Sequence, residues 1–488
     1  MAFILAIDQG TTNSKALLLD EAGTVVARAS APVGVRYPQP GWVEQSPADI
    51  WQSVVKVIGE CVAAAGSRTI AAVGIANQRE SVLLWHRRTG EPIGPCVTWQ
   101  CRRSADRIHA LRTPAFEHEV QATTGLGLDP LFPAAKIGWL LDAYPEARRL
   151  VAEGNLCAGT VDSWLVYKLT GGRVHATDAG NASRTQLLDI HAGAWSQSLA
   201  ERFDVPVSIL PEVRPSDSRF GEVTGVAGLN GVPIHAVLGD SHAALFAHGI
   251  RRPGAVKATY GTGSSLMTLT ETPVASKSGL SATIGWQRGD SIAYALEGNI
   301  SVSAQAAAWA ASVLGLEDAA ALTALAKTVP DSGGVYFVPA LVGLGAPHWK
   351  DDARAVFCGM TLGTTRAHLA RAALEAIALQ IRDVFVAMEH DTGLTLDVLS
   401  VDGGATGNDF LMQMQADVLD RPVQRKMVAE LSAAGAAIMA GAAVSMWGDT
   451  GPAALRAERD LIRPSIEAAR RDSLILGWSK ALDLAIGR

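Results

Sequence analysis

A chain of 488 residues is longer than one hydrophobic core usually organises, so two or three domains are expected. Its 48% hydrophobic and 18% charged content excludes a disordered chain, and a net charge of -6 without a basic block argues against nucleic-acid or anionic-membrane partners. The five cysteines, Cys61, Cys96, Cys101, Cys157 and Cys358, lack CxxC spacing, so reduced thiols in a cytoplasm are expected and a metal site is not.

The first apolar run breaks at Asp8 and has no basic leader, unlike a signal peptide, and no run is long enough to span a bilayer. Residues 3–7 read as a strand that ends in Asp8, turns through Gln9-Gly10-Thr11-Thr12-Asn13, and returns through apolar 16–19. This predicts a tight β-hairpin with Asp8 at its tip. Gly10 lets the backbone approach a ligand, Thr11, Thr12, Asn13 and Ser14 offer hydroxyl and amide groups, and Lys15 adds a cation. Such a set suits phosphate oxygens, with Asp8 placed to hold a bridging Mg2+. An ordinary polar turn with a capping acid fits the same residues.

Ser46-Pro47 opens a helix predicted through residue 62, and a strand over 70–76 ends in Asn77-Gln78-Arg79-Glu80-Ser81. Ligands of open α/β sheets sit beyond the carboxyl ends of strands, which makes Arg79 and Glu80 candidates for holding a polar small molecule. Both can reach one ligand only if the strand has already become loop, and a surface ion pair is the competing use. Trp99, before Arg102 and Arg103, can wall the carbon side of a hydroxylated ligand or serve as a core Trp. A loop over 125–133 feeds a helix over 134–141, and segments 159–165 and 177–184 read as polar loops and caps.

A second centre is the strand over 234–239 that runs into Asp240 at a helix start. An acid there can accept a proton from a bound hydroxyl, and it can equally be a helix cap. His242 reads as a helix-start residue. Residues 255–260, the turn Gly261-Thr262-Gly263-Ser264-Ser265, and apolar 266–267 repeat the first hairpin, which implies duplicated halves facing across a cleft. A long helix over 367–389 with Glu375 and Arg382 at polar positions follows. A strand over 398–401 then ends in Asp402-Gly403-Gly404 before a helix over 410–419, where Gly404 and Asn408 can receive a nucleotide. Neither a dinucleotide fingerprint nor a Walker A pattern is present.

In order, Asp8-Gln9-Gly10-Thr11-Thr12, Asn77-Gln78-Arg79-Glu80, Trp99-Gln100-Cys101-Arg102-Arg103, Tyr260-Gly261-Thr262-Gly263, Gly343-Leu344-Gly345-Ala346-Pro347 and Asp402-Gly403-Gly404 resemble the FGGY carbohydrate kinases, and among them the glycerol kinases. The resemblance implies two actin-like, RNase H-like α/β domains closing over a cleft. Residues 1–248 would hold the acceptor and 249–488 the ATP. It implies Asp8 on Mg2+ and Asp240 as general base. It also implies Thr11, Thr12, Asn13 and Lys15 at the phosphates, and Gly261, Thr262, Gly404 and Asn408 around the nucleotide.

Arg79, Glu80 and Trp99 keep the acceptor pocket of the glycerol kinases, but the family's Tyr falls on Leu131, its Gln on Ser241 and its Phe on Ser265. A roomier pocket for a tetritol or pentitol is therefore expected, with glycerol itself or a ketose such as xylulose or ribulose as alternatives. A non-transferring actin-like ATPase or sugar sensor would lack the base and the Arg-Glu pair. Homodimers or homotetramers are expected from the resemblance.

Overall fold

The computed structural model describes residues 2–66 and 68–487. Strands β1 (Ala2–Gln9) and β2 (Asn13–Leu19) form the first hairpin, with Asp8 opposite Lys15 and the turn at Gly10 to Thr12. β1 is continuously apolar because both its faces are covered. Phe3, Leu5 and Ile7 pack in one cluster with helix α1 (Pro47–Ala65), while Ile4 and Ala6 enter another on the opposite face. Ser46 starts α1 by accepting the Asp49 amide at 3.2 Å, and Pro47 occupies the first turn, where its missing N–H costs nothing. The helix runs three residues past its predicted end.

β3 (Val25–Pro32), β4 (Thr69–Asn77) and β5 (Ile234–Gly239) complete a sheet in the order β5-β4-β1-β2-β3. It is parallel across β5-β4-β1 and antiparallel across β1-β2-β3. A separate four-stranded sheet of Glu44–Gln45, Pro92–Val97, Val82–His86 and Leu156–Thr160 stands beside it, together with helices α2 (Pro133–Ala143) and α3 (Ala179–Ser183). Of the polar loops and caps expected at 159–165 and 177–184, the cap is present, since Asp178 accepts the amides that open α3, and the loops are corrected to helix. Val161–Leu169 is a buried helix, in which Thr177 Oγ1 donates to Asp162 Oδ2 at 2.6 Å and Ser163 Oγ to Thr160 O at 2.7 Å.

The second half repeats the first. β6 (Ala255–Tyr260), β7 (Ser264–Thr270), β8 (Ser281–Arg288), β9 (Ser291–Ile300), β10 (Val398–Asp402), β11 (Val423–Lys426) and β12 (Glu458–Ile462) lie in the order β8-β9-β7-β6-β10-β11-β12. The five strands β9-β7-β6-β10-β11 match β3-β2-β1-β4-β5 in order and direction. The duplication inferred from two hairpins thus extends to two whole sheets, each with an α/β topology.

Helix α4 (Asp240–Ala247) follows β5 directly. α5 (Arg366–Thr392) and α6 (Asp409–Leu419) cover the outer face of the second sheet. Glu375, expected on a polar face of α5, is buried and paired with Arg371 at 2.8 Å. α7 (Leu431–Ala443) packs with α4 between the two sheets, in a cluster that joins Ile4, Ala6 and Leu238 to Met267 and Leu269. A Cβ on Gly435 would overlap the Ala243 carbonyl, so a glycine there sets how closely the two helices approach. Among the described residues, no helix is long and apolar enough to cross a membrane.

Candidate active site

Gln9 of β1 and Gly239 of β5 are both paired with Asn77 of β4. Three parallel strands therefore end in one row, and the residues following them, the β1-β2 turn, Gln78 to Ser81, and Asp240, gather at the same sheet end. A side-chain amide network ties them together. Gln78 Nε2 donates to Gln9 Oε1 (3.1 Å) and Gln45 Oε1 (2.8 Å), and Gln45 Nε2 donates to Thr11 O (2.7 Å). The Trp99 indole N–H donates to Thr11 Oγ1 at 2.9 Å, so the expected acceptor wall is fixed to the expected phosphate turn.

Arg79 and Glu80 do lie on chain that has left the strand, as a shared ligand requires: β4 ends at Asn77, and Glu80 has φ 57. Arg79 is not free. It donates from Nη1 to Glu297 Oε2 (2.8 Å) and from Nη2 to Oε1 (2.5 Å), while its Nε lies 3.3 Å from Asp240 Oδ1. Arg184 donates from Nε to Glu80 Oε1 (2.6 Å), and its Nη1 lies 3.0 Å from Glu297 Oε2. Glu297, on β9, thus draws two arginines from the first half of the chain onto one carboxylate of the second. Although burial alone would raise it, the Arg184 and Arg79 guanidiniums hold its carboxyl well below the usual carboxylate range. Arg184 reaches this position because Asp178 caps α3, accepting the amides of Gly180 (2.9 Å) and Asn181 (2.8 Å).

Asp240 is the first residue of α4; the capping position belongs to Gly239. Its Oδ1 accepts the Ser241 amide at 2.6 Å, and its side chain keeps 37% exposure, open to a ligand. Burial raises its pKa, against the pull of Arg79. Burial and the facing Asp240 push Asp8 from 3.8 up to about 7, with Lys15 pulling the other way. Two hard carboxylates that repel each other beside a polar turn suit Mg2+, which takes one or two carboxylates and completes its shell with phosphate oxygens and water. His242, expected only as a helix-start residue, is buried with Nε2 3.4 Å from Arg79 Nη1.

The two serines among the three smaller pocket residues differ in availability. Ser265 Oγ donates to Glu297 Oε1 at 3.2 Å, so its hydroxyl already serves the ion network, whereas the Ser241 side chain is half-buried beside Asp240. Leu131 is half-buried and anchored by its amide on Asp129 Oδ1 at 2.7 Å.

Across the cleft, Gly261 and Thr262 turn over the start of the helix Ala304–Val313, whose first amides bond their carbonyls. Gly403 has φ 98, and a Cβ there would lie 2.8 Å from Tyr260 N, so only glycine lets β10 turn this close to the second hairpin. Gly404 opens an exposed 3-10 turn. The Asn408 amide is engaged at both ends. Its Oδ1 caps α6 through Phe410 N (3.1 Å) and Leu411 N (3.2 Å), and its Nδ2 donates to Thr323 Oγ1 (2.9 Å).

Asp402 joins the two halves. Burial lowers the pKa of His248, which caps the end of α4; its Nε2 lies 2.6 Å from Asp402 Oδ2 and its Nδ1 2.7 Å from Ser400 Oγ. This Ser-His-Asp set is no hydrolase triad, since Ser400 is buried. The Lys257 ammonium is fully buried with no hydrogen-bond partner among the described residues, and the charges acting on it include Asp402, Glu297 and Asp240.

Residues 3–247 match the N-terminal domain of the FGGY family of carbohydrate kinases, and residues 256–444 match its C-terminal domain. The chain is 44% identical to a glycerol kinase of Symbiobacterium thermophilum, covering 99% of this chain and 98% of that protein. It is 47% identical to an apulose kinase of Pectobacterium atrosepticum, covering 95% and 94%. The crystal structure of Plasmodium falciparum glycerol kinase with ADP superposes with a TM-score of 0.95 at 32% identity, covering 100% of this chain and 98% of that one.

Proposed function

The chain belongs to the FGGY family of carbohydrate kinases, and from that premise we propose that it moves the γ-phosphoryl group of ATP onto a hydroxyl of a small polyol larger than glycerol. The observation that carries this reading is the convergence of Asp240, Arg79 and Asp8 at one sheet end, with Arg79 Nε 3.3 Å from Asp240 Oδ1. Glu80, Trp99, Leu131, Ser241 and Ser265 would form the acceptor pocket around Asp240, and Arg79 would orient both the acceptor and the base. Thr11, Thr12, Asn13 and Lys15 would meet the phosphates. Gly261, Thr262 and Gly404 would line the nucleotide, with Asn408 shaping the turn through its cap. The acceptor would belong to 1–248 and the nucleotide to 249–488 in a cytoplasmic, homo-oligomeric enzyme.

Phosphoryl transfer passes through a loose transition state, so positioning and charge stabilisation do most of the work. Asp240 accepts the hydroxyl proton at its carboxylate, a role helped by a pKa raised by burial. Mg2+, held by Asp8, would supply charge neutralisation between the phosphate oxygens. Closure of the cleft would exclude water, the competing acceptor.

ATP-dependent phosphorylation of glycerol, erythritol, ribitol, xylitol, arabitol, xylulose, ribulose and apulose, read as phosphorylated product, tests the acceptor. Higher kcat/KM for a four- or five-carbon acceptor is expected, because Leu131, Ser241 and Ser265 remove bulk. A clear preference for glycerol would sink the enlarged pocket, and ATP hydrolysis without product would sink the kinase reading. The apulose kinase relative favours a ketose as the second reading.

Asp8 binds a proton below about pH 7, where it competes with the metal. The Mg2+ concentration for half-maximal activity should therefore fall by about tenfold from pH 6 to pH 8, and D8N should abolish the shift. Identical Mg2+ dependence at both pH values would contradict Asp8 as the ligand.

A further inference from the structure

Glu80, Trp99 and Leu131 lie on three separate segments, and each gives its backbone carbonyl to a single ammonium group. Lys136 Nζ donates to Leu131 O at 2.5 Å, Glu80 O at 3.2 Å and, more weakly, Trp99 O at 3.4 Å. A lysine ammonium has three donors and no acceptor, so three carbonyls are its full complement. Lys136 lies in the first turns of α2 and is fully buried. Glu80 holds φ 57, a left-handed conformation that strains a non-glycine residue and needs support from its surroundings. Its carbonyl is held by Lys136 while its carboxylate takes Arg184.

We propose that Lys136 is the positioning residue of the acceptor pocket, its ammonium fixing the three backbone segments that carry Glu80, Trp99 and Leu131. The inference rests on the acceptor assignment made above. Packing alone does not require a charge here, because methionine would fill the same volume without desolvation.

Burial lowers the Lys136 pKa to about 8, so the clamp weakens as pH rises through that value. The groups acting on it are Glu80, Cys101, Cys96 and Asp129. Arg184 pairs with Glu80, Arg102 lies 3.7 Å from Asp129, and Arg103 donates to Cys101 Sγ at 3.0 Å. The Cys96 thiol, pushed up to about 12 by burial, stays neutral through the window.

The experiment compares wild type, K136M and C101A. In K136M the acceptor KM should rise about tenfold or more, the loss expected for removing a charged hydrogen-bonding group, with the ATP KM within about twofold. Wild-type acceptor KM should rise above pH 8 while ATP KM stays flat, and C101A should keep that profile, which separates the lysine from the thiol. Hydrogen–deuterium exchange of K136M should quicken on the peptides carrying Glu80, Trp99 and Leu131. An unchanged acceptor KM, an equal rise in both KM values, or a profile lost in C101A would overturn the proposal. If K136M does not fold, the wild-type pH series decides. If no acceptor is phosphorylated, the functional reading fails, and unchanged exchange on the three peptides would separately refute the clamp.

Discussion

Replacing Asp240 by Asn is expected to lower kcat by about 10^2- to 10^4-fold, the usual worth of a positioned general base, while leaving nucleotide affinity within a few-fold. The fold should survive, because Asp240 is partly exposed and loss of its ion pair to Arg79, at 3.3 Å, leaves Arg79 still gripped by Glu297. Acceptor affinity should change little, since the amide keeps an oxygen to receive the hydroxyl. Single-turnover kinetics read the chemical step directly. D240N retaining more than a tenth of wild-type kcat would remove the residue from that role and leave positioning by Arg79 and Glu80 to explain the rate.

Glu297 should produce the largest stability effect. E297Q is expected to cost about 3–5 kcal/mol of unfolding free energy, because it leaves two buried guanidiniums sharing only Glu80 and Asp240. The same variant frees Arg79 to turn toward its remaining acid, so the acceptor KM should rise with it. Urea unfolding and acceptor kinetics measured together test both arms. A variant as stable as wild type would mean that Glu80 and Asp240 compensate both cations unaided. The network also crosses from one half of the chain to the other, because Glu297 pairs with both Arg79 and Arg184.

The strands and turns that build this site were legible because their signals are local. A strand-length apolar run stopped by an acid and small polar residues identified the Asp8 hairpin, and a second strand ending in the small-residue turn at Gly261 identified its counterpart. Ser46 followed by Pro47 identified a helix start, and the polar residues after residue 76 identified a strand end. Where polar residues found partners inside the core, the same reasoning failed: Asp162 and Ser163 read as loop or cap and are buried in a helix, with Asp162 Oδ2 and Ser163 Oγ hydrogen-bonded there. Glu375 looked like a solvated helix position and is buried against Arg371.

The order of motifs along the chain by itself determined that this is a two-domain kinase with Asp8, Arg79, Glu80 and Asp240 at strand ends. The tertiary structure alone decided which charges meet. Arg79 finds Glu297 across 218 residues, Glu80 finds Arg184 across 104, and Lys136 reaches back 56 residues to the Glu80 carbonyl. None of these spacings leaves a periodic or motif-like trace, because electrostatic attraction depends on separation in space and on the burial that strips water from the pair.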